Sequence, residues 1–274
     1  MAYQALILRN PARAAATVQE FEQLGITSRC AQLIDTVWPE DRSQLHRMGE
    51  ELVAGRFSWL VFTSVNTVHV VAQVLDGRQL PADLRIASVG QKTTGAIARL
   101  LGRSVHFQPA EQSAAGMVAE WRLEAGARIC YPHGDLASST LADGLAEHPV
   151  EVSECIAYET VDAGRGGQPV TEAVAAPGIK ILPAEQIGAT LEELDLVVFS
   201  APSVVRRFIQ LAGSRLPSRT QAIAIGKPTA AAMERAGLPV HAISAQPTPQ
   251  GLARAAQDLL RRTGPSGAAE RTAE

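Results

Sequence analysis

The sequence is poor in aromatics and cysteine, has no long apolar run, and leans only slightly to one charge. Aromatic residues make up 4% of the 274 positions, so the core must come from Ala, Val, Leu and Ile, a palette suited to parallel strands packed under helices. Three cysteines, Cys30, Cys130 and Cys155, are odd in number and form no CxxC pair. They exclude a disulfide framework and predict reduced, mostly buried thiols in a cytosolic protein. No apolar stretch approaches the roughly 18 residues that read as a spanning helix, so no membrane segment is expected. The opening MAYQALILRNPARA lacks a charged leader followed by an apolar stretch, which gives the expectation of a cytoplasmic location. The net charge of −3, without a basic run or basic–aromatic interleaving, excludes a nucleic-acid surface. There is no GxxxxGK[ST] loop, no GxGxxG after the first strand, no HExxH and no GxSxG elbow. The six histidines show no metal-ligand spacing, and no motif implies a cofactor.

The chain has a core's worth of material: 46% of residues are hydrophobic and 19% charged, and the length suits two domains. Strand-then-helix units recur along it. ALIL (5–8), WLVF (59–62), RIASVG (85–90), VHF (105–107), RICY (128–131), DLVVF (195–199), QAIAIG (221–226) and VHAIS (240–244) each precede a helical stretch, and ITSRCAQLIDTV (26–37) and VEVSECIAYETV (150–161) alternate as strands. Such alternation predicts parallel sheets with helices on both faces.

The units form an internal repeat. Phe62 falls 137 positions before Phe199, VGQKT (89–93) falls 136 before IGKPT (225–229), and GRSVH (102–106) falls 135 before GLPVH (237–241). Arg9 and Ile26 are 17 apart, as are His133 and Val150. Each half therefore holds five strand–helix units in one order, which predicts a flavodoxin-like sheet in each. His106 and His241 occupy matching positions inside expected strands and read as structural histidines. Two connections are long, Trp38 to Trp59 and Asp162 to Asp195. They would let the chain cross between lobes, so that spatial domains need not match sequence halves. Residues 163–180, rich in Gly, Ala and Pro, read as a flexible connector.

Ligands of open parallel sheets bind beyond the carboxyl ends of strands, where helix N-termini present unpaired N–H groups. The candidate ends are Thr63-Ser64 with Asn66, Gly90 with Thr93, Ser200 with Ser203, and Gly226 with Thr229. Glycine admits close approach of a ligand to the backbone, and a hydroxyl can cap the helix or donate to an anion. One such end attracts a facing anion by only about 0.3–1 kcal/mol; four together would suit a ligand with many negative groups. Arg9, Lys92 and Lys227 could add positive charge. The same hydroxyls serve equally as plain helix caps.

The ordered set VFTSVNTV, SVGQKTTGAI, CIAYET, VVFSAPSVVRRF, AIGKPTAAAMERAG and QPTPQGL, spread over roughly 3–262, resembles the uroporphyrinogen-III synthase family. The resemblance implies a cofactor-free lyase of tetrapyrrole and haem synthesis. Its substrate would be hydroxymethylbilane, a linear polycarboxylate that the family closes with inversion of the last pyrrole through a spiro intermediate. It implies an α/β fold of two flavodoxin-like parallel-sheet lobes joined by a two-stranded linker, the chain crossing between lobes twice. Lobe 1 would comprise 1–36 and 168–262 and lobe 2 would comprise 40–160, with 263–274 a disordered tail. The duplicated strand-ends would then face a common cleft. By resemblance Tyr158 is the candidate proton donor for loss of the substrate hydroxyl; Arg9, Thr63, Ser64, Asn66, Gly90, Thr93, Ser200, Ser203, Gly226 and Thr229 are the candidate substrate contacts, and a monomer is expected. The chain departs from the family pattern at YPHG, where His133 stands for a usual arginine, and at Ala201, where a small hydroxyl residue is usual. Two rivals are a non-catalytic binder of tetrapyrroles or other polyanions derived from the family, and a two-lobed enzyme acting on sugars or nucleotides.

Overall fold

The runs WLVF and LVVF form strands in which every residue is buried, the mark of strands covered on both faces. The computed structural model describes residues 2–172 and 177–263. The chain runs β1 (Tyr3–Leu8), α1 (Pro11–Gln23), β2 (Ile26–Ala31), β3 (Ile34–Val37), α2 (Ser43–Val53), β4 (Trp59–Phe62), α3 (Val65–Leu75), β5 (Arg85–Ser88), α4 (Gln91–Leu101), α5 (Ala114–Glu120), β6 (Arg128–Gly134), α6 (Thr140–Ala146), β7 (Glu151–Asp162), β8 (Lys180–Ile181), α7 (Ile187–Thr190), β9 (Leu196–Phe199), α8 (Pro202–Ala212), β10 (Gln221–Ala224), α9 (Lys227–Arg235), β11 (Ala242–Ile243) and α10 (Pro249–Thr263). Two compact units divide it. The described residues of the first are drawn from Met1–Asp35, Asp162–Gly164 and Ala173–Glu274; those of the second are Thr36–Val161 and Arg165–Glu172. β3 and β7 each hold a point at which the chain passes from one unit to the other.

The sheet of the first unit has the order β11-β10-β9-β1-β2-β8, with every pair parallel. Leaving aside the two-residue edge strand β8, this is the flavodoxin-like order. Side-chain alternation sends Leu6, Leu8, Val197 and Phe199 to one face, against Phe208 and Met233 of α8 and α9. Ala5, Ile7 and Val198 go to the other, against Phe21 of α1 and Ala256 of α10. Phe199 is fully buried and meets Phe208 edge-on at 5.0 Å. Phe199→Ala is expected to cost about 3–5 kcal/mol, the range for deleting a buried ring, read as the shift in a urea unfolding midpoint.

The second sheet has the order β3-β7-β6-β4-β5, with β7-β6, β6-β4 and β4-β5 parallel. The 137-position offset matches β4 to β9, and the 124-position offset between Arg9 and His133 matches β6 to β1. Both units thus share one strand order, entered at different points along the chain. Leu60, Phe62 and Ile86 pack on α2, α3 and α4; Trp59, Val61 and Tyr131 pack on α5 and α6.

The expected strand 105–107 is reduced to a single bridge, Ala87 to Phe107. The N–H of Ile86 goes to His106 Nδ1 at 3.0 Å instead of to a strand carbonyl. His241 does the same in the first unit, accepting from Ala222 N–H at 2.9 Å. Both histidines sit just ahead of their strand positions rather than inside them, and both serve as backbone acceptors. Burial lowers the His241 pKa below 6.5. A base whose folded pKa is depressed gives stability present above its unfolded pKa and lost as pH falls through the folded value. The melting temperature should therefore decline below about pH 6.5, and His241→Gln should weaken that decline; equal pH dependence in both proteins would contradict it.

Two further expectations need correction. ITSRCAQLIDTV splits into β2 and β3, with Gln32 and Leu33 between them. The stretch read as a flexible connector is partly built into the second unit. Trp38 N–H donates to Gln168 O at 2.9 Å and Val170 N–H to Thr36 O at 3.0 Å, and Val170 is buried in that unit's core. Residues 168–172, assigned to lobe 1 from the sequence, fall in this second unit. One buried valine among glycines and prolines outweighs their composition. Residues 173–176 lie outside the described residues. Of the expected tail 263–274, Thr263 closes α10 and 264–274 lie outside the described residues. All three cysteines are buried and free.

Candidate active site

In the second unit the candidate residues gather where β4 turns into α3. Ser64 is extended (φ −150°, ψ 143°) and caps α3, its Oγ accepting the Asn66 N–H at 3.0 Å. The same oxygen accepts the Tyr158 phenol at 3.2 Å. Asn66 Nδ2 donates to Thr36 Oγ1 at 3.3 Å. One residue earlier, the Thr63 side chain lies beside the phenol of Tyr131, a buried residue of β6. Burial raises the Tyr131 pKa; the nearby Thr63 hydroxyl opposes this, while Glu154 and Tyr158 add to it. Two tyrosines from adjacent strands thus stand beside two consecutive hydroxyl residues, one of them hydrogen-bonded.

Gly134 makes room for this arrangement. A Cβ there would lie 2.5 Å from Tyr158 Cζ and 2.8 Å from its hydroxyl oxygen. His133, beside it, places Nδ1 2.9 Å from Gly134 O and Nε2 3.2 Å from Glu154 Oε2, with its ring 4.8 Å from that of Tyr131. At the next strand end, Gly90 precedes α4 without a side-chain cap, and Gln112 Oε1 accepts the Gln91 N–H at 3.1 Å. Gln112 stands where a Cβ on Gly90 would go. Thr93, third in α4, is buried, and Lys92 is exposed.

The first unit presents the matching ends with fewer internal contacts. Arg9, half-buried just past β1, has no side-chain hydrogen bond or ion pair among the described residues. Its pKa is lowered by burial and then by Arg13. Ser200 Oγ donates to Leu8 O at 2.6 Å, which ties β9 to β1. Ala201 precedes α8 without a side-chain cap and Pro202 has no N–H, leaving Ser203 in an open first turn. Gly226 precedes α9 with only Pro228 Cδ, at 4.0 Å, near a would-be Cβ. Lys227 is exposed, and Thr229 is 2% exposed. Chemically, the second unit offers a half-buried phenol at a capped helix start, and the first offers a cation and uncapped N–H groups.

Sequence reasoning passed over Tyr131, Gly134, Gln112 and Glu154. Each acts on a residue of another element, so no local motif marks it. Among the described residues, no three His, Cys, Asp or Glu side chains form a group that could hold a metal, and no helix is long and apolar enough to cross a membrane.

The model of the family described as uroporphyrinogen-III synthase HemD matches residues 15–254. The chain belongs to the uroporphyrinogen-III synthase family. A uroporphyrinogen-III synthase of Chlorobaculum parvum is 26% identical over 248 residues, covering 87% of this chain and 91% of the relative. Among solved structures, a mutant uroporphyrinogen III synthase of Thermus thermophilus matches with a TM-score of 0.65 at 18% identity, covering 94% of this chain and 100% of its own. The uroporphyrinogen-III synthetase of Helicobacter pylori 26695 matches at 0.53 and 15%, with coverage of 94% and 100%. At these identities the structural likeness concerns the fold, which is the α/β architecture expected from the sequence. The stretch matched to uroporphyrinogen-III synthase contains every candidate residue except Arg9.

Proposed function

We propose that the protein closes hydroxymethylbilane to uroporphyrinogen III in haem biosynthesis, inverting the last pyrrole through a spiro intermediate. Family membership across residues 15–254 carries this reading, and the site supports it. In the proposed chemistry the Tyr158 phenol gives its proton to the leaving hydroxyl, the C–O bond breaks, and water departs as the pyrrole nitrogen supplies electrons. The closing carbon later sheds a proton as its ring regains aromaticity, so the reaction loses only water and needs no oxidant or reductant. The remaining demand is positional, holding a flexible polyanion so that the intended carbon attacks.

For that holding role we assign Arg9, Ser203, the start of α9 at Gly226, and Thr229 in the first unit, with Thr63, Asn66, Gly90 and Thr93 in the second. Ser200, bonded to Leu8 O, contributes as an acceptor or through its backbone. Fixed N–H dipoles and a few cations suit a chain whose net charge is −3. A single chain working in the cytoplasm is the proposed setting. Thr229→Ala is expected to raise KM about tenfold, the scale of one lost hydrogen bond to a charged group, with little change in melting temperature. A large loss of stability with KM unchanged would assign Thr229 to packing. The function itself is tested by the isomer produced from fresh bilane; a non-catalytic tetrapyrrole binder would take up the ring product yet leave the isomer ratio of the uncatalysed reaction.

A further inference from the structure

We infer that Ser64 and the buried Tyr131 are positioning residues for the proton chemistry of Tyr158, and that this chemistry belongs to the second unit alone. The inference rests on the proposed cyclisation. Its ground is the internal repeat, which supplies a control within the same chain. The 124-position offset that sets His133 on Arg9 sets Tyr131 on Ile7 and Tyr158 on Ile34; the 137-position offset sets Ser64 on Ala201. Strand pairing agrees, since Cys130 is opposite Leu60 as Leu6 is opposite Val197. The first unit therefore builds the same strand order with isoleucine in place of both phenols and alanine in place of the cap. The first unit forms the matching strand–helix turn without this network, so the turn itself does not require it. In the second unit Tyr158 donates to Ser64 Oγ, Ser64 Oγ accepts the Asn66 N–H, and the buried Tyr131 packs beside Thr63 next door.

Ser64 suits a group that gives up and regains a proton. Its oxygen accepts from the neutral phenol, and its own hydroxyl hydrogen can turn to donate to the phenolate once the proton has gone to the leaving oxygen. The N-terminus of the 11-residue α3, which Ser64 caps, favours the negative charge formed there. When the closing pyrrole carbon sheds its proton, that phenolate is the acceptor, so Tyr158 ends as it began. Tyr131, 3% exposed, has its pKa pushed up by burial and stays neutral. Its part is to pack beside Thr63 and support the turn that carries Ser64.

The test measures kcat, KM, product isomer and melting temperature for Ser64→Ala, Ser64→Thr and Tyr131→Phe beside the unaltered protein. Ser64→Ala and Tyr131→Phe are each expected to lower kcat about tenfold, with KM within about twofold; Ser64→Ala also lowers the melting temperature by a few degrees through loss of the α3 cap, while Ser64→Thr retains the cap and most of kcat. With the unaltered protein active, unchanged kcat in both variants overturns the inference, as does a loss that Ser64→Thr shares in full or that disappears when the variants are assayed well below their melting temperatures. An unaltered protein yielding only the non-inverted ring overturns the functional reading first, and the inference with it.

Discussion

Replacing Tyr158 by phenylalanine is expected to lower kcat by about 10²–10³-fold, the contribution typical of a general acid, while KM changes little. The ring would remain, so its packing against Gly134 and the core should persist. What disappears is the O–H that reaches Ser64 at 3.2 Å. Losing an interaction needed only as the C–O bond breaks lowers kcat and kcat/KM together. Steady-state rates on fresh bilane, corrected for spontaneous closure, decide the matter; a Tyr158→Phe rate equal to that of the unaltered protein removes this residue from the mechanism.

The second large effect comes from a residue with no chemistry of its own. Gly134→Ala would place a methyl 2.5 Å from Tyr158 Cζ and 2.6 Å from Cε2, closer than real side chains approach. Something must move. The backbone of β6 is held to β7 by parallel pairing up to His133 and by the Gly134–Tyr158 step beyond it, so the tyrosine ring is the part that yields. The expected result is a kcat loss approaching that of Tyr158→Phe, with about 1–3 kcal/mol of destabilisation, the usual range for overpacking. A second change should separate the two effects: Gly134→Ala added to Tyr158→Phe should lower kcat little further, since both act on one phenol. Fully multiplicative losses would mean that Gly134 acts elsewhere.

How far the sequence reveals these features depends on how local their causes are. WLVF and LVVF were readable because a strand covered on both faces must be apolar throughout, whatever its neighbours. The repeat was readable because Phe62 and Phe199 carry equivalent core positions. The fifth strand of the second unit was overestimated because one ring nitrogen, His106 Nδ1, takes an N–H that a strand partner would otherwise use. The ordered part of the connector is hidden because Val170 is tied by its N–H to Thr36 of β3 and buried in the second unit's core, both formed by residues far away in sequence. At the candidate site, hydroxyls at strand ends were visible as a type, but their partners were not. Pairing Ser64 with Tyr158 spans 94 residues, and it requires β4, β6 and β7 to lie in one sheet in that order reversed. The occupation of the α4 start by Gln112 has the same cause: a side chain 21 positions on supplies the contact.

Family membership and the two-tyrosine arrangement converge on a single prediction about product stereochemistry. Freshly prepared hydroxymethylbilane, incubated with the protein and then oxidised to porphyrin for separation, gives an isomer ratio directly. The account predicts the inverted type III ring in clear excess over the buffer control, and Tyr158→Phe should return that ratio toward the control. A product consisting of the non-inverted ring, formed no faster than in buffer, would contradict it.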